Sequence, residues 1–175
     1  MKTFLLLSIL ASTWLTAGSL VVTQAKIQAH TEVFGDSSID PTTTHLTSHL
    51  SMGKNIESIK GSIDISMMKL KSDNDKRDEH MVDSIESVKY PLATYTFKKV
   101  QKSSTGYTVN GILNFHGVKK PLTIEANIEK TKAGLSFKGS SGFLMSSYNV
   151  TPPTMFFLTV RDQIDLNIDV MFKKR

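Results

Sequence analysis

The densest run of charge in the chain is "SDNDKRDEHM", residues 72–81, where carboxylates, basic groups and an imidazole stand side by side. These are the groups that acid–base catalysis and metal binding require. The run fails as a calcium loop, because counted from Asp73 it has no glycine at the sharp turn and no glutamate at the twelfth position. Asp78, Glu79 and His80 are adjacent, and adjacent side chains of a helix point in different directions. The acidic residues are therefore predicted to cap and solubilise a helix.

Arg77, Asp78 and His80 leave two interpretations open. In the structural one, Arg77 donates its planar fork to a carboxylate or to backbone carbonyls, Asp78 accepts backbone N–H groups, and His80 bridges to a strand. Such a network would fix the helix at a rim of the fold, since buried polar groups are usually hydrogen-bonded. In the functional one, Arg77 or His80 meets the polar head of a ligand.

Other signatures of metal binding or catalysis are weak. His45 and His49 would share a strand face, and His80 and His116 are further histidines that a zinc site could use, but the compact spacing of zinc ligands is missing. The chain has no GxSxG elbow and no cysteine, which excludes a thiolate nucleophile and disulfides. The sequence predicts no metal, no cofactor and no enzyme activity, and His116 is predicted to be a turn or rim residue.

The beginning of the chain has the layout of a secretory signal peptide. Lys2 precedes an apolar run from Phe4 to Leu15, and small residues follow. Residues 1–25 are assigned to the signal, with the cut between 18 and 25, and residues 26–175 to one domain. The apolar run is short for a spanning helix. No stable membrane span is expected after cleavage, and the mature protein is expected to be periplasmic or secreted.

The formal net charge of +5 is modest, and the basic residues are dispersed along the chain. The single tryptophan, Trp14, lies in the signal, so no basic stripe is interleaved with aromatic residues. Nucleic acid is therefore not expected as a partner.

Alternation of apolar and polar residues dominates the rest of the chain and is typical of half-buried strands. It is clearest in "IKGSIDISM", "PLTIEANIEK" and "QIDLNIDVMF", and it recurs in "ATYTFKKV", "YTVNGILNFHG" and "AGLSFKGS". The segments "KSSTGY", "KTKAG" and "FHGVKKP" predict hairpin turns that contain glycine. Many short antiparallel strands with one apolar face predict a sandwich or a barrel, and closure into a barrel would remove exposed edges.

One segment, residues 75–88, breaks the alternation. Its apolar residues recur at helical spacing as Met81, Ile85 and Val88. Asn74 or Asp75 can cap the start, and Pro91 ends any helix before the next strand. We expect one short helix across one end of the barrel.

Three segments together resemble the YceI-like family of lipocalin-like proteins: "KRDEHM…SVKYPLATYTF", "GYTVNGILNFHGVKKPLTIEA" and "DQIDLNIDVMF". The residues that carry the resemblance are Arg77, Asp78, His80, Tyr90, Pro91, Ala93, Tyr95, Gly111, Leu113, His116, Gly117, Val118 and Pro121. The resemblance spans about residues 26–173.

This resemblance implies a mainly β fold, an antiparallel eight-stranded lipocalin-like barrel with one short helix. A barrel of that size can hold one small ligand in its interior. The resemblance also implies export to the periplasm and binding of isoprenoid or other amphipathic lipids. Members of the family often form dimers, so a homodimer is a further expected partner.

The function predicted on this basis is non-catalytic binding or carriage of a long apolar or amphipathic lipid inside an exported barrel. The residues predicted to bind the ligand are Tyr95, Phe97, Leu113, Phe115, Ile124, Phe137, Phe143, Met145 and Leu166, with Arg77 and His80 at its head. The alternative is a structural or stress-related interaction protein with a filled barrel core. The stretch "YNVTPPTMFFLTV" is predicted to fold across the barrel mouth or to form an interface strand.

Overall fold

A computed structural model describes residues 17–33, 37–132, 134–155 and 158–175. The strands of its first half are β1 (Gly18–Val33), β2 (Ser37–Ile39), β3 (Thr42–Thr43), β4 (Leu46–Ser48), β5 (Leu50–Met52) and β6 (Gly61–Ser66). Those of its second half are β7 (Leu92–Ser103), β8 (Gly106–Phe115), β9 (Val118–Thr131), β10 (Gly134–Leu144), β11 (Thr154–Met155), β12 (Leu158–Thr159) and β13 (Gln163–Lys174). One α-helix, α1 (Asp75–Ser84), lies between β6 and β7, and 3₁₀ turns are found at Ile56–Ser58, Met67–Lys69 and Met145–Tyr148.

Strands β6 to β10 form an antiparallel meander in which each strand pairs with the next along the chain. The hairpin between β8 and β9 turns on His116 and Gly117, whose φ angles are 50° and 77°. Positive φ at both central residues is the geometry of the tight turns that match strand twist. The hairpins predicted from "KSSTGY", "FHGVKKP" and "KTKAG" are all present.

The sheet curls so that its two ends, β1 and β6, are joined through residues 46–52. Strand β13 pairs with β10 on one edge and with β1 on the other. Residues 37–52 then run back along the second edge of β1 as β2, β3 and β5, each antiparallel to it. The segment 46–52 closes the curl, because its β4 portion pairs with β6 and its β5 portion pairs with the start of β1.

The predicted fold class is confirmed, but the number of strands differs from eight. Eleven strands make up the main sheet in the described part of the chain. Seven of them and the bent segment 46–52 form the curl, while β2 and β3 pair only with β1. Residues 37–52 are divided into short strands partly because Pro41 has no N–H to donate to a ladder.

Helix α1 begins where the sequence predicted, and it ends earlier. The Asn74 side chain caps it by accepting the backbone N–H of Arg77 at 3.0 Å. The helix stops at Ser84 rather than near Val88, and Glu86 follows in the left-handed region with φ 45°. The predicted apolar stripe is correspondingly shorter: Ile85 is buried and Met81 packs on the core, but Val88 is 80% exposed.

The core fills the inside of the curl. Alternate residues of the long strands point inward and are buried, as Leu122 and Ile124 are on β9, while their neighbours face solvent. Inward residues from every long strand join one hydrophobic cluster. The alternation of apolar and polar residues along each strand thus predicts which side chains point into the interior.

Candidate ligand-binding interior

The structure brings all nine predicted apolar binding residues into one cluster. Tyr95, Phe97, Leu113, Phe115, Ile124, Phe137 and Met145 are buried, and Phe143 and Leu166 are half-buried against them. They come from β7, β8, β9, β10, β13 and the 3₁₀ turn that follows β10. We call this set the inner cluster. That its members touch a ligand stays a prediction.

The middle of the inner cluster is an aromatic group. The Tyr95 and Phe97 rings meet edge to face with centroids 5.2 Å apart, and Phe97 meets Phe137 at 6.4 Å. The Tyr95 hydroxyl donates towards the backbone carbonyls of Val109 and Leu122, both at 3.0 Å. Burial raises the pKa of Tyr95, so its hydroxyl stays a neutral donor.

Gly111 makes room for this tyrosine. The Tyr95 ring lies directly over Gly111, and a Cβ at that position would overlap the ring and the carbonyl oxygen of Thr96. A glycine in a strand interior often marks such a close approach. Because Gly111 has no side chain, the Tyr95 ring of β7 can pack directly against the backbone of β8.

A second aromatic group lies nearer the end of the curl that carries α1. Phe115, Phe143 and Tyr148 meet in pairs at centroid distances of 5.1–5.7 Å. Burial raises the pKa of Tyr148. Sequence analysis did not assign Tyr148 to the interior, because it follows the end of β10 and no strand parity applies to it.

His116 links three segments at this end, as predicted for a rim residue. Its Nδ1 lies 3.1 Å from the carbonyl oxygen of Tyr148, and its Nε2 lies 2.6 Å from Glu86 Oε2. Both partners are acceptors, so both ring nitrogens are placed to donate. The hydrogen bond from His116 lowers the pKa of Glu86. The Tyr90 ring packs on His116 with centroids 4.4 Å apart.

Within the charged run, Asp78 is the structural anchor. It is 1% exposed, and its Oδ1 accepts the backbone N–H of Ser72 at 2.7 Å. Its Oδ2 lies 3.6 Å from Lys71 Nζ. Burial raises the pKa of Asp78, but the hydrogen bond from Ser72 and the Lys71 charge outweigh it, so the pKa lies below its usual value.

Arg77 and His80 lie on the outer side of α1. Arg77 donates to Asp73 at 2.8 Å, one helical turn away, and His80 is exposed. The structure therefore does not bring these two predicted head-binding residues to the inner cluster. Arg77 fits the structural interpretation of the charged run, because it donates to a carboxylate. His80 is exposed, and the predicted bridge from its side chain to a strand is not among the hydrogen bonds of the described residues.

The histidines considered for zinc are separated. His49 pairs with Asp64 at 3.2 Å, His116 pairs with Glu86, and His80 is on the helix surface. In the described part of the chain, no group of three or more His, Cys, Asp or Glu side chains converges as metal ligands do. Phe156 and Phe157, in the stretch predicted to cross the mouth, lie outside the described residues.

Sequence analysis missed a polar cluster on the outside of the curl. His30 Nδ1 lies 2.7 Å from Asp40 Oδ1, and its Nε2 lies 3.3 Å from Glu32. Arg161 donates to Asp165 nearby. Burial raises the pKa of Asp165, but hydrogen bonds from Arg161 and Gln163 hold it below its usual value.

The profile of the YceI-like domain matches residues 19–172, nearly the whole chain. The chain belongs to the YceI-like family. Curated relatives of this family include a UPF0312 protein of Yersinia enterocolitica, 29% identical over 56% of this chain and 55% of that protein. Protein YceI of Escherichia coli is 32% identical over 43% of this chain and 40% of its own length. The chain thus spans about half the length, or less, of the curated relatives it matches.

Several solved structures share the fold. BcnA of Burkholderia cenocepacia has a TM-score of 0.72 with 15% identity, covering 83% of this chain and 94% of that one. A polyisoprenoid-binding domain from Saccharophagus degradans has a TM-score of 0.66 with 12% identity, covering 90% and 99% of the two chains. At these identities the likeness extends to the fold alone. No helix in the described ranges has both the length and the apolar character needed to cross a bilayer.

Proposed function

We propose that this protein binds or carries a long apolar or amphipathic lipid inside its curled sheet, without catalysing a reaction on it. The observation that carries the proposal is the inner cluster, in which apolar side chains from five strands converge in one continuous group. Apolar burial of a chain there is worth about 25 cal/mol per Å². An isoprenoid or a fatty chain has a long apolar surface, which such an interior can bury.

Two further points support a lipid ligand. One structural neighbour of the same fold is a polyisoprenoid-binding domain. The interior also has few polar groups: the Tyr95 hydroxyl is already directed at two backbone carbonyls, which leaves it little capacity for a polar ligand. We extend the proposal to an exported, periplasmic or secreted protein, on the basis of the signal-like residues 1–25.

The second candidate is a structural or stress-related interaction protein with a filled core. The observation that favours it is the direct edge-to-face contact within both aromatic groups, at centroid distances of 5.1–6.4 Å. A ligand that lies among these rings must separate some of them. The two candidates therefore differ in whether the interior opens.

The first experiment is native mass spectrometry of the full chain expressed with export into a bacterial periplasm. We expect a bound mass that dissociates on activation and that solvent extraction identifies as a long-chain lipid. Protein that is repeatedly lipid-free when purified from membrane-containing extracts, and that does not bind added retinol, a fluorescent isoprenoid alcohol, would contradict the proposal.

Phe115→Ala separates the two candidates. In a permanently packed core the truncation costs about 3–5 kcal/mol of unfolding free energy. In a lipid-lined interior we expect a smaller loss of stability and a clear loss of retinol affinity, measured by urea unfolding and by fluorescence titration. Val88→Ala is the matched control, because it removes an apolar side chain that is 80% exposed; it should change neither quantity.

A further inference from the structure

The sheet is split between β9 and β10 over the first half of β9 and the last four residues of β10. Their pairing runs from Thr131↔Gly134 to Glu125↔Ser140 and ends there. Beyond that point, residues 118–124 pair only with β8, and residues 141–144 pair only with β13. We call this split the lateral opening. If the β9–β10 pairing continued in the same register, Thr123 would lie opposite Gly142.

The sequence removes one of the hydrogen bonds that could close the opening. The carbonyl oxygen of Thr123 faces β10, because it accepts the Ser141 hydroxyl at 2.6 Å. Alternate residues of a strand bond to the same neighbour, so Pro121 also presents its backbone to the β10 side. Proline has no N–H to donate. Proline in a sheet is confined to edge strands and bulges. Pro121 lies in the part of β9 that has no partner on its β10 side, so this part of β9 is an edge within the curled sheet.

The opening leads from the outer surface towards the inner cluster. A concavity of about 800 Å³ lies over it. Its floor contains Leu122 and Leu166, which belong to the inward rows of β9 and β13. Phe143, the next inward residue after Ser141 on β10, is only half-buried. The concavity is therefore bordered by residues of the inward rows, of which Leu122 is buried and Leu166 is half-buried.

The rim of the concavity is polar and carries no positive side chain among its described residues. It is lined by Thr123, Glu125, Ser140, Ser141, Gln163, Asp165 and Asn167, together with Pro121 and Gly142. Hydroxyl and amide groups can hydrogen-bond an uncharged head. The carboxylate of Glu125 disfavours an anionic head such as a phosphate or carboxylate.

We infer that the lateral opening is the entrance of the ligand, which passes its apolar chain between β9 and β10 and leaves an uncharged polar head at the rim. The Ser141–Thr123 hydrogen bond is then a latch across the entrance. This inference rests on the proposed function and adds the route and the head chemistry to it.

The test is a removable cross-link across the opening. The chain has no cysteine, so Thr123→Cys/Gly142→Cys provides the only thiols. A Cβ at Gly142 would overlap the amide end of the Gln163 side chain, which can move aside by giving up its hydrogen bonds to Ile164 and Asp165. A short bis-methanethiosulfonate reagent joins the pair, and reduction releases it. The readout is the rate of retinol transfer to phosphatidylcholine vesicles.

We expect the cross-link to slow retinol transfer by about tenfold or more, with recovery on reduction. The control pair is Lys138→Cys/Asp169→Cys, whose parent side chains meet at 2.7 Å across the intact β10–β13 ladder. Cross-linking the control should leave the rate near that of the parent protein. Unchanged transfer in the cross-linked Thr123/Gly142 pair would overturn the entrance. If the Thr123/Gly142 cysteine variant binds no retinol at all even after reduction has released its cross-link, the proposed function is overturned as well.

Two single variants examine the latch and the rim. Ser141→Ala should speed transfer by about three- to tenfold, because one hydrogen bond is lost from the closed entrance. Glu125→Lys should raise the affinity for retinoic acid relative to retinol, two ligands with the same chain and different heads. An unchanged ratio would overturn the assignment of the head to the rim.

Discussion

At the scale of single residues, His30 has an environment that favours its charged form. Its two ring nitrogens face Asp40 and Glu32. The hydrogen bond to Asp40 is the largest influence, and together with Glu32 it raises the pKa of His30 against a small opposing effect of burial. The pair with Asp40 therefore stabilises the fold below the unfolded pKa of about 6.5, and this stabilisation is lost as pH rises through the folded pKa.

We predict that Asp40→Asn lowers the pKa of His30, because the neutral amide no longer stabilises the imidazolium. The measurement is an NMR titration of the His30 ring proton between pH 5 and 9, in the parent protein and in the variant. The dependence of unfolding free energy on pH should flatten in the same window. A His30 pKa that does not move would show that Glu32 alone sets it.

Residues differ in how far the sequence could predict them. Tyr95, Phe97 and Leu113 were predicted to face inward, and strand parity sufficed for that. His30 was missed because its partner Asp40 follows β2, ten residues further along the chain, and no spacing motif links the two. The outward direction of Arg77 and His80 was equally hidden, since it depends on which face of α1 packs on the sheet.

At the scale of elements, Asp78 ties α1 to Lys71 and Ser72, the residues that lead into the helix. Lys71 in turn exchanges backbone hydrogen bonds with Thr42 of β3. Asp78→Ala leaves the Ser72 N–H without its acceptor, which costs about 1–3 kcal/mol of unfolding free energy. We expect Asp78→Asn to lose less, because the amide oxygen can still accept that N–H. Urea unfolding at pH 7 measures both.

The pH dependence gives an independent check on the Asp78 prediction. Because the pKa of Asp78 is lowered in the folded protein, its contribution is present above about pH 4, its usual range, and is lost as pH falls through the folded value. The difference in stability between wild type and Asp78→Asn should therefore shrink on acidification. A difference that grows towards low pH would contradict this assignment.

Strand β1 sharpens the expected position of signal cleavage. Leu20 is 1% exposed and pairs with both β5 and β13. A cut after Ala25 would remove that pairing, whereas a cut after Gly18 or Ser19 preserves it. We therefore propose the earlier cut, and N-terminal sequencing of the exported protein measures it.

A matched pair of cytoplasmically expressed chains tests the same point. The chain from Leu20 onward should unfold cooperatively in urea. The chain from Lys26 onward should be markedly less stable, because the start of β5 and the end of β13 lose their partner strand. Equal stability of the two chains would contradict the earlier cut.

At the scale of the whole molecule, alternation of apolar residues predicted the strands from β6 to β10, and glycine-containing turns predicted the hairpins that join β7 to β10. They could not choose between a sandwich and a barrel, which the resemblance to the YceI-like family resolved. The division of residues 37–52 into short strands was not predictable, since Thr-rich segments carry little periodicity. The split between β9 and β10 was also hidden, although Pro121 was its one signal in the sequence.

The pairing of β1 with β13 has a consequence for the time course of folding. Thr23 and Met171, which this pairing joins, are 148 residues apart, whereas the hairpins of the meander form between neighbours. Contacts of such long range form slowly, because loop closure must precede them. During synthesis the β1–β13 pairing cannot form until β13 has been made, so the sheet remains incomplete until then. A chain that completes its sheet only late stays unfolded for longer, which would suit the export that we propose, since an export channel accepts unfolded chains.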